Sequence, residues 1–139
     1  MDSIGKGKLI TVDIELLENR PIHERITYIK GSSTDEKVVQ QISDMIKENQ
    51  VVLVILDSDH NMPHVLREME IYSEFVSKGC YMIVEDSNVN GHPVVSNWGD
   101  GPFEAIQEFL THNDSFEIEK EREKYYMTFN PNGYLKKVH

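Results

Sequence analysis

Residues 51–60 read VVLVILDSDH, and residues 81–88 read YMIVEDSN. In each, an unbroken β-branched apolar run ends abruptly in acidic residues. Continuous rather than alternating hydrophobicity marks a strand buried on both faces, as in a parallel sheet. In open α/β sheets, ligands bind beyond the carboxyl ends of such strands. Strands at 51–56 and 81–84 would therefore aim Asp57, His60, Glu85 and Asp86 into one crevice. Crowded carboxylates in a partly dry site require a compensating cation or bound proton.

Outward from these two runs, short strands and amphipathic helices alternate. Residues 9–15 (LITVDIE) and 26–30 (ITYIK) read as strands. Residues 32–35 carry helix-capping chemistry, followed by Val38, Val39, Ile42, Met45 and Ile46 at helical spacing. Pro63 suits a helix's first turn, and the stripe Leu66, Met69, Tyr72, Phe75 and Val76 extends that helix until Gly79 ends it. Residues 85–101 form a long loop rich in Asn, Gly and Pro, of a size often given over to function. Phe103, Ile106, Phe109 and Leu110 define a helix over 103–110. Residues 116–119 and 125–129 are expected to close the sheet as an antiparallel pair, with the charged run 117–124 at its tip. Strand–helix alternation means α/β with a largely parallel sheet, and no internal repeat is evident.

The chain has 139 residues, enough for one domain with a sizeable core. Its 24 acidic and 14 basic side chains leave a net charge of −10, which repels phosphate backbones and anionic lipid. Nucleic acid and membrane are accordingly not expected partners, and the Lys136–Lys137 pair is too small to reverse this. Cys80 is the single cysteine, so no internal disulfide can form, as suits a reducing compartment. No apolar run approaches the ~20 residues of a membrane span, and residues 1–8 lack the apolar core of a signal peptide. A cytoplasmic location is expected.

The strand-end residues have two readings each. Asp57, Glu85 and Asp86 are suitable ligands for a hard divalent ion such as Mg²⁺, Mn²⁺ or Ca²⁺; taken singly, Asp57 reads equally as a helix cap, and Glu85 and Asp86 as the start of a solvated turn. His60 can take a proton from a substrate hydroxyl, or act as a simple cap. Pro63 between His60 and His64 starts a helix there, so the two histidines do not form a metal pair on one helix face. His92 is a further loop histidine. Asp13, at the end of the first strand, can accept hydrogen bonds from the two hydroxyls of a ribose, and Gly31-Ser32-Ser33 would let a flat base approach the backbone; ordinary strand-to-helix turns look the same. Trp98, Tyr125 and Tyr126 are aromatic candidates for a pocket wall, or for core.

Taken in order, VDIE, ITYIKGSSTD, VLVILDSDH, SKGCYMIVEDSNVNGHPV and FNPNGYLKKV resemble the cephalosporin hydroxylase family over nearly the whole chain. Members of that family look like class I S-adenosylmethionine-dependent methyltransferases. The resemblance implies a Rossmann-like three-layer sandwich, a mostly parallel sheet with an antiparallel C-terminal pair, in a single domain spanning 1–139. It implies Asp57, Glu85 and Asp86 as Mg²⁺ ligands, or ligands of another divalent cation, and His60 as the catalytic base. For S-adenosylmethionine it implies Asp13 at the ribose, Ser32 and Ser33 beside adenine, and Gly31 and Ser58 in the same cofactor site. The acceptor would be a hydroxylated small molecule.

One departure is large. Methyltransferases of this class begin with a strand and a glycine-rich turn, and nothing like them precedes Leu9; Gly5 to Lys8 is too short. The absent strand would be central, between the strands at 9–15 and 51–56. The chain is therefore expected to be a C-terminal portion lacking the usual first strand. An open sheet edge favours homo-oligomers, and a non-catalytic fragment or subunit that binds metal or a partner chain is the alternative function. An iron oxygenase would need two histidines and a carboxylate; His23, His60, His64, His92, His112 and His139 offer no HxD or HxE pair with a further histidine suitably placed.

Overall fold

A computed structural model describes residues 5–125 and 127–139. Residues 1–4, part of the stretch that lacks a signal-peptide core, and the aromatic candidate Tyr126 lie outside the described residues. The chain divides into two compact units, Met1–Lys47 and Glu48–His139.

In the first unit, β1 (Leu9–Asp13) and β2 (Ile26–Lys30) run parallel, with Leu9 opposite Ile26 and Asp13 opposite Lys30. α1 (Glu36–Met45) follows, its N-terminus capped by Asp35, whose carboxylate accepts the Lys37 N–H at 2.8 Å. Val38 and Ile42 are its buried stripe. The cap fixes the start of the helix because the first-turn amides have no intrahelical partner.

The second unit is built on a four-stranded sheet in the order β3 (Val54–Leu56), β4 (Tyr81–Val84), β6 (Tyr134–Lys137), β5 (Phe116–Ile118). β3 and β4 are parallel, while β6 is antiparallel to both β4 and β5. Val54, Leu56, Met82, Val84 and Leu135 share one face through this register, and α2 (Met62–Ser73) packs against β3 and against α3 (Pro102–His112). Met69, Met82, Ile106 and Leu135 are fully buried and form the centre of the core. No described helix is long and apolar enough to cross a membrane.

Four expectations change. The sheet is mixed rather than mostly parallel and comes as two ladders. β3 is not buried on both faces as its unbroken apolar run predicts: Ile55 is exposed, as are Val51 and Leu53 before it, and among the described residues nothing pairs with its outer edge. α2 ends at Ser73, short of Phe75 and Val76, and Gly79 instead takes a left-handed φ of 80° in the turn into β4, donating to the Lys137 carbonyl. The partner of β5 is residues 134–137, not 125–129. Both stretches are rich in β-formers, but Asn132 with φ 62° and Gly133 supply the turn that starts β6. A Cβ at Gly133 would run into the Val84 carbonyl, which accepts no such intrusion because the Val84 N–H already donates to the Gly133 carbonyl at 2.9 Å.

The charged run after β5 folds into a short 3₁₀ helix, Lys120–Glu123. It is tied down through Glu119, whose carboxylate accepts from Tyr81 Oη, from Arg122 Nε at 2.7 Å and from Lys136 Nζ at 2.9 Å. These bonds hold the Glu119 carboxyl at about 2, below its ordinary 4.5.

Candidate metal centre

Asp57 and His60 sit in the turn between β3 and α2, and Glu85 and Asp86 directly follow β4. Because β3 and β4 are parallel neighbours in register, their carboxyl ends open on the same side. One ligating atom each from Asp57, His60 and Asp86 lies within 4.8 Å of the others. His60 Nε2 is 3.5 Å from Asp57 Oδ1 and 3.4 Å from Asp86 Oδ2. It is buried, yet makes no hydrogen bond. A buried polar nitrogen without a partner is costly, and here it faces two carboxylate oxygens. The two converging carboxylates are hard oxygen donors that fit a divalent cation, with the imidazole placed beside them as a neighbouring base.

Glu85 lies outside that three-residue set but feels it. Partial burial first, then the negative charges of Asp57 and Asp86, raise its carboxyl above the ordinary range, with His60 acting in the opposite direction. Its amide continues the sheet by donating to the Leu56 carbonyl at 2.9 Å.

The acidic loop is anchored from behind by residues not singled out from the sequence. Asp86 adopts a left-handed φ of 51°, unusual for any residue but glycine and of a kind found at functional sites. The buried Asn130 side chain accepts the Asp86 N–H at 3.0 Å, and Ser87 Oγ donates to the Pro131 carbonyl at 2.7 Å. Glu68 on α2, only 2 % exposed, accepts from Ser58 Oγ on both oxygens at 2.8 and 2.9 Å. The Ser58 hydroxyl, expected at the cofactor, is thus committed to α2. Burial first, and the charge of Glu68 second, push the neighbouring Tyr72 hydroxyl up to about 12. His64 Nε2 lies 3.6 Å from the Glu68 carboxylate.

The 85–101 loop is strapped to the N-terminus of α3. Glu104 accepts from Gly101 N at 2.8 Å and Asn90 Nδ2 at 3.0 Å, and its carboxylate lies 2.8 Å from His92 Nε2. The His92 ring stacks on Phe103. This explains His92 as a structural element of the strap. Trp98 donates its indole N–H to the His60 carbonyl at 3.1 Å. Tyr125 is exposed, at 80 %.

In the first unit, Asp13 ends β1 and Gly31 follows β2, so the parallel register brings these two together. The Gly31 N–H donates to the Asp13 carbonyl at 2.9 Å, and Asp13 Oδ1 accepts the Glu15 N–H at 2.8 Å. Ser32 Oγ lies 3.1 Å from Thr34 Oγ1.

Residues 1–138 match the family model described as rhamnosyl O-methyltransferase/CmcI. The chain is 42% identical over 143 residues to the rhamnosyl O-methyltransferase of Mycobacterium tuberculosis (strain H37Rv), covering 97% of this chain and 58% of that protein. It is 38% identical over 133 residues to the rhamnosyl O-methyltransferase of Mycobacterium leprae, covering 92% and 58%. The chain thus spans little more than half the length of these relatives. Among solved structures, it resembles the MycE methyltransferase of the mycinamycin biosynthetic pathway, solved with Mg, SAH and mycinamycin VI, with a TM-score of 0.53 at 18% identity. That likeness covers 75% of this chain and 28% of MycE, and concerns the α/β fold.

Proposed function

Because this chain belongs to the rhamnosyl O-methyltransferase/CmcI family, we propose that it carries the metal and acceptor site of an S-adenosylmethionine-dependent O-methyltransferase acting on a sugar hydroxyl. The observation that carries the proposal is the unpartnered, buried His60 Nε2 facing the carboxylates of Asp57 and Asp86. Asp57, Glu85 and Asp86 would hold the cation, Mg²⁺ by preference for hard oxygen ligands. When bound, it would compensate the carboxylate charge and lower the pKa of an acceptor hydroxyl. His60 is the base, its Nε2 facing Asp57 and Asp86 with no hydrogen bond of its own. Asn130 and Glu68 hold the two acidic loops in place, so that much of the catalytic advantage lies in positioning. Asp13, with Gly31, Ser32 and Ser33, would receive the ribose and adenine of the cofactor.

Calorimetric titration with Mg²⁺ tests the site. The unaltered chain should give binding heat that Asp57→Ala and Glu85→Ala reduce or abolish; equal heats in all three would remove the metal site.

The exposed outer edge of β3 favours a second reading, in which the chain is a non-catalytic fragment or subunit that binds metal or a partner chain, including another copy of itself. Light scattering discriminates: a clean monomer that binds S-adenosylmethionine at micromolar strength disfavours this reading, and an oligomer that does not bind it supports it.

A further inference from the structure

Trp98 is both anchored and open to solvent. Its polar edge is fixed, with the indole N–H on the His60 carbonyl at 3.1 Å, while the residue remains 48 % exposed. Isolated exposed apolar side chains are ordinary on protein surfaces, and Ile22 and Met127 are examples. Trp98 differs in being anchored to the backbone of the proposed base. Its ring lies 6.4 Å from the His60 imidazole, tilted by 51°. The segment around it is also held: Trp98 N–H donates to the Val95 carbonyl, Gly99 N–H to Asn90 Oδ1, and Met62 N–H to the Asp100 carbonyl. Such bracing gives an aromatic face a defined orientation before any ligand arrives, which reduces the ordering cost of binding.

We propose that Trp98 is the specificity-determining wall of the acceptor subsite, its indole face taking the C–H face of a neutral pyranose ring whose hydroxyls reach the Asp57–His60–Asp86 cluster. This rests on the acceptor reading of the site given above. The chemistry selects the ligand. The electron-rich face of indole attracts polarised C–H groups as it attracts the edges of other rings. A net charge of −10 and a local cluster of carboxylates disfavour an anionic acceptor. A base takes its proton from the acceptor, so a ring fixed to His60 lies on the acceptor side.

Trp98 is the single tryptophan of the chain, so its emission reports this position alone. The test uses methyl rhamnopyranoside as probe, with Mg²⁺ present, followed by tryptophan emission under acrylamide quenching and by calorimetry. Saturating glycoside should shield Trp98, lowering the quenching constant about twofold or more, and Mg²⁺ alone should not. Trp98→Ala should weaken glycoside binding about tenfold, Trp98→Phe should restore most of it, and both should keep the Mg²⁺ heat of the unaltered chain. Circular dichroism establishes that the variants are folded, and Trp98→Phe keeps the test decisive if Trp98→Ala is not. Glycoside heat with unchanged acrylamide access, or equal glycoside affinity in all three chains, overturns the role of Trp98. An unaltered chain that binds Mg²⁺ but not the glycoside overturns the sugar acceptor as well, whereas loss of Mg²⁺ binding strikes the metal reading separately.

Discussion

Asn130 and Asp86 are 44 positions apart in the chain, and the side chain of the first fixes the backbone of the second: Asn130 Oδ1 accepts the Asp86 N–H at 3.0 Å. The bond stabilises a left-handed aspartate whose carboxylate must point at His60. Asn130→Ala should leave that partly buried amide without its partner, at a cost of about 1 kcal/mol in chemical denaturation. It should also weaken Mg²⁺ binding roughly tenfold by calorimetry, the size of effect seen when outer partners of metal ligands are removed. Unchanged Mg²⁺ affinity would mean that the Asp86 loop holds its shape without Asn130.

Glu68 is a buried carboxylate that the apolar stripe of α2 does not require. Its bonds to Ser58 tie the helix to the turn bearing Asp57 and His60. Glu68→Ala removes the acceptor and opens space in the core, and should cost about 2–4 kcal/mol. Glu68→Gln keeps the shape and an acceptor oxygen and should cost less. Tyr72 gives an independent readout. Burial accounts for most of its rise to about 12 and the Glu68 charge for the rest, so Glu68→Gln should bring the phenol part of the way back towards 10. Ultraviolet titration of tyrosine follows it.

The Glu104 strap predicts an acid sensitivity. Burial by itself would raise this carboxyl, but the Gly101 amide, His92 and Asn90 outweigh it and hold the group at about 2 against an ordinary 4.5. A depressed carboxyl stabilises the fold at pH above its unfolded value, and that contribution is lost as the pH falls through 4.5 towards 2. Glu104→Gln should therefore be less stable than the unaltered chain near neutral pH, by about 1–2 kcal/mol, and the gap should close over that acid window. Parallel urea titrations at stepped pH measure it. A gap that is constant with pH would place the contribution of Glu104 in packing rather than in charge.

The two deciding apolar runs were legible as strands through their β-branching, but continuity overstated burial in the first, where Val51, Leu53 and Ile55 are exposed. The meeting of Asp57 with Asp86 was legible because parallel strands must open their carboxyl ends together. Asn130 was not: its role is to accept one backbone amide across the fold, and neither residue type nor spacing encodes that. Trp98 stood out as an aromatic candidate for a pocket wall, but its bond to the His60 main-chain carbonyl is not encoded in residue type or spacing. Glu68 sits between Leu66 and Met69 and reads as an ordinary helix position until its burial is seen. Placing the last strand at 125–129 failed for another reason. Propensity favoured both stretches, and only the Asn132–Gly133 turn, with the tight contact of Gly133 on Val84, decides for 134–137.

Gly101 is where the strap, the base and the tryptophan come closest. Its φ of −130° suits any residue, so what demands glycine is space. A Cβ there would lie 3.2 Å from Val89 Cγ2, 3.3 Å from the His60 carbonyl oxygen and 3.5 Å from Trp98 Cδ1. The valine side chain can turn aside. The His60 carbonyl is main chain at the start of α2 and already accepts the Trp98 indole, so it yields less readily. Gly101→Ala should therefore destabilise the fold by about 1 kcal/mol, as mild overpacking does. Its more telling effect should be on Trp98: displacing the carbonyl loosens the indole N–H bond and opens the ring to solvent. Tryptophan emission should shift to the red and acrylamide quenching should increase, while far-ultraviolet circular dichroism stays unchanged. Emission identical to that of the unaltered chain would mean that Val89 alone absorbs the added methyl, and that the carbonyl linking Trp98 to His60 stays in place.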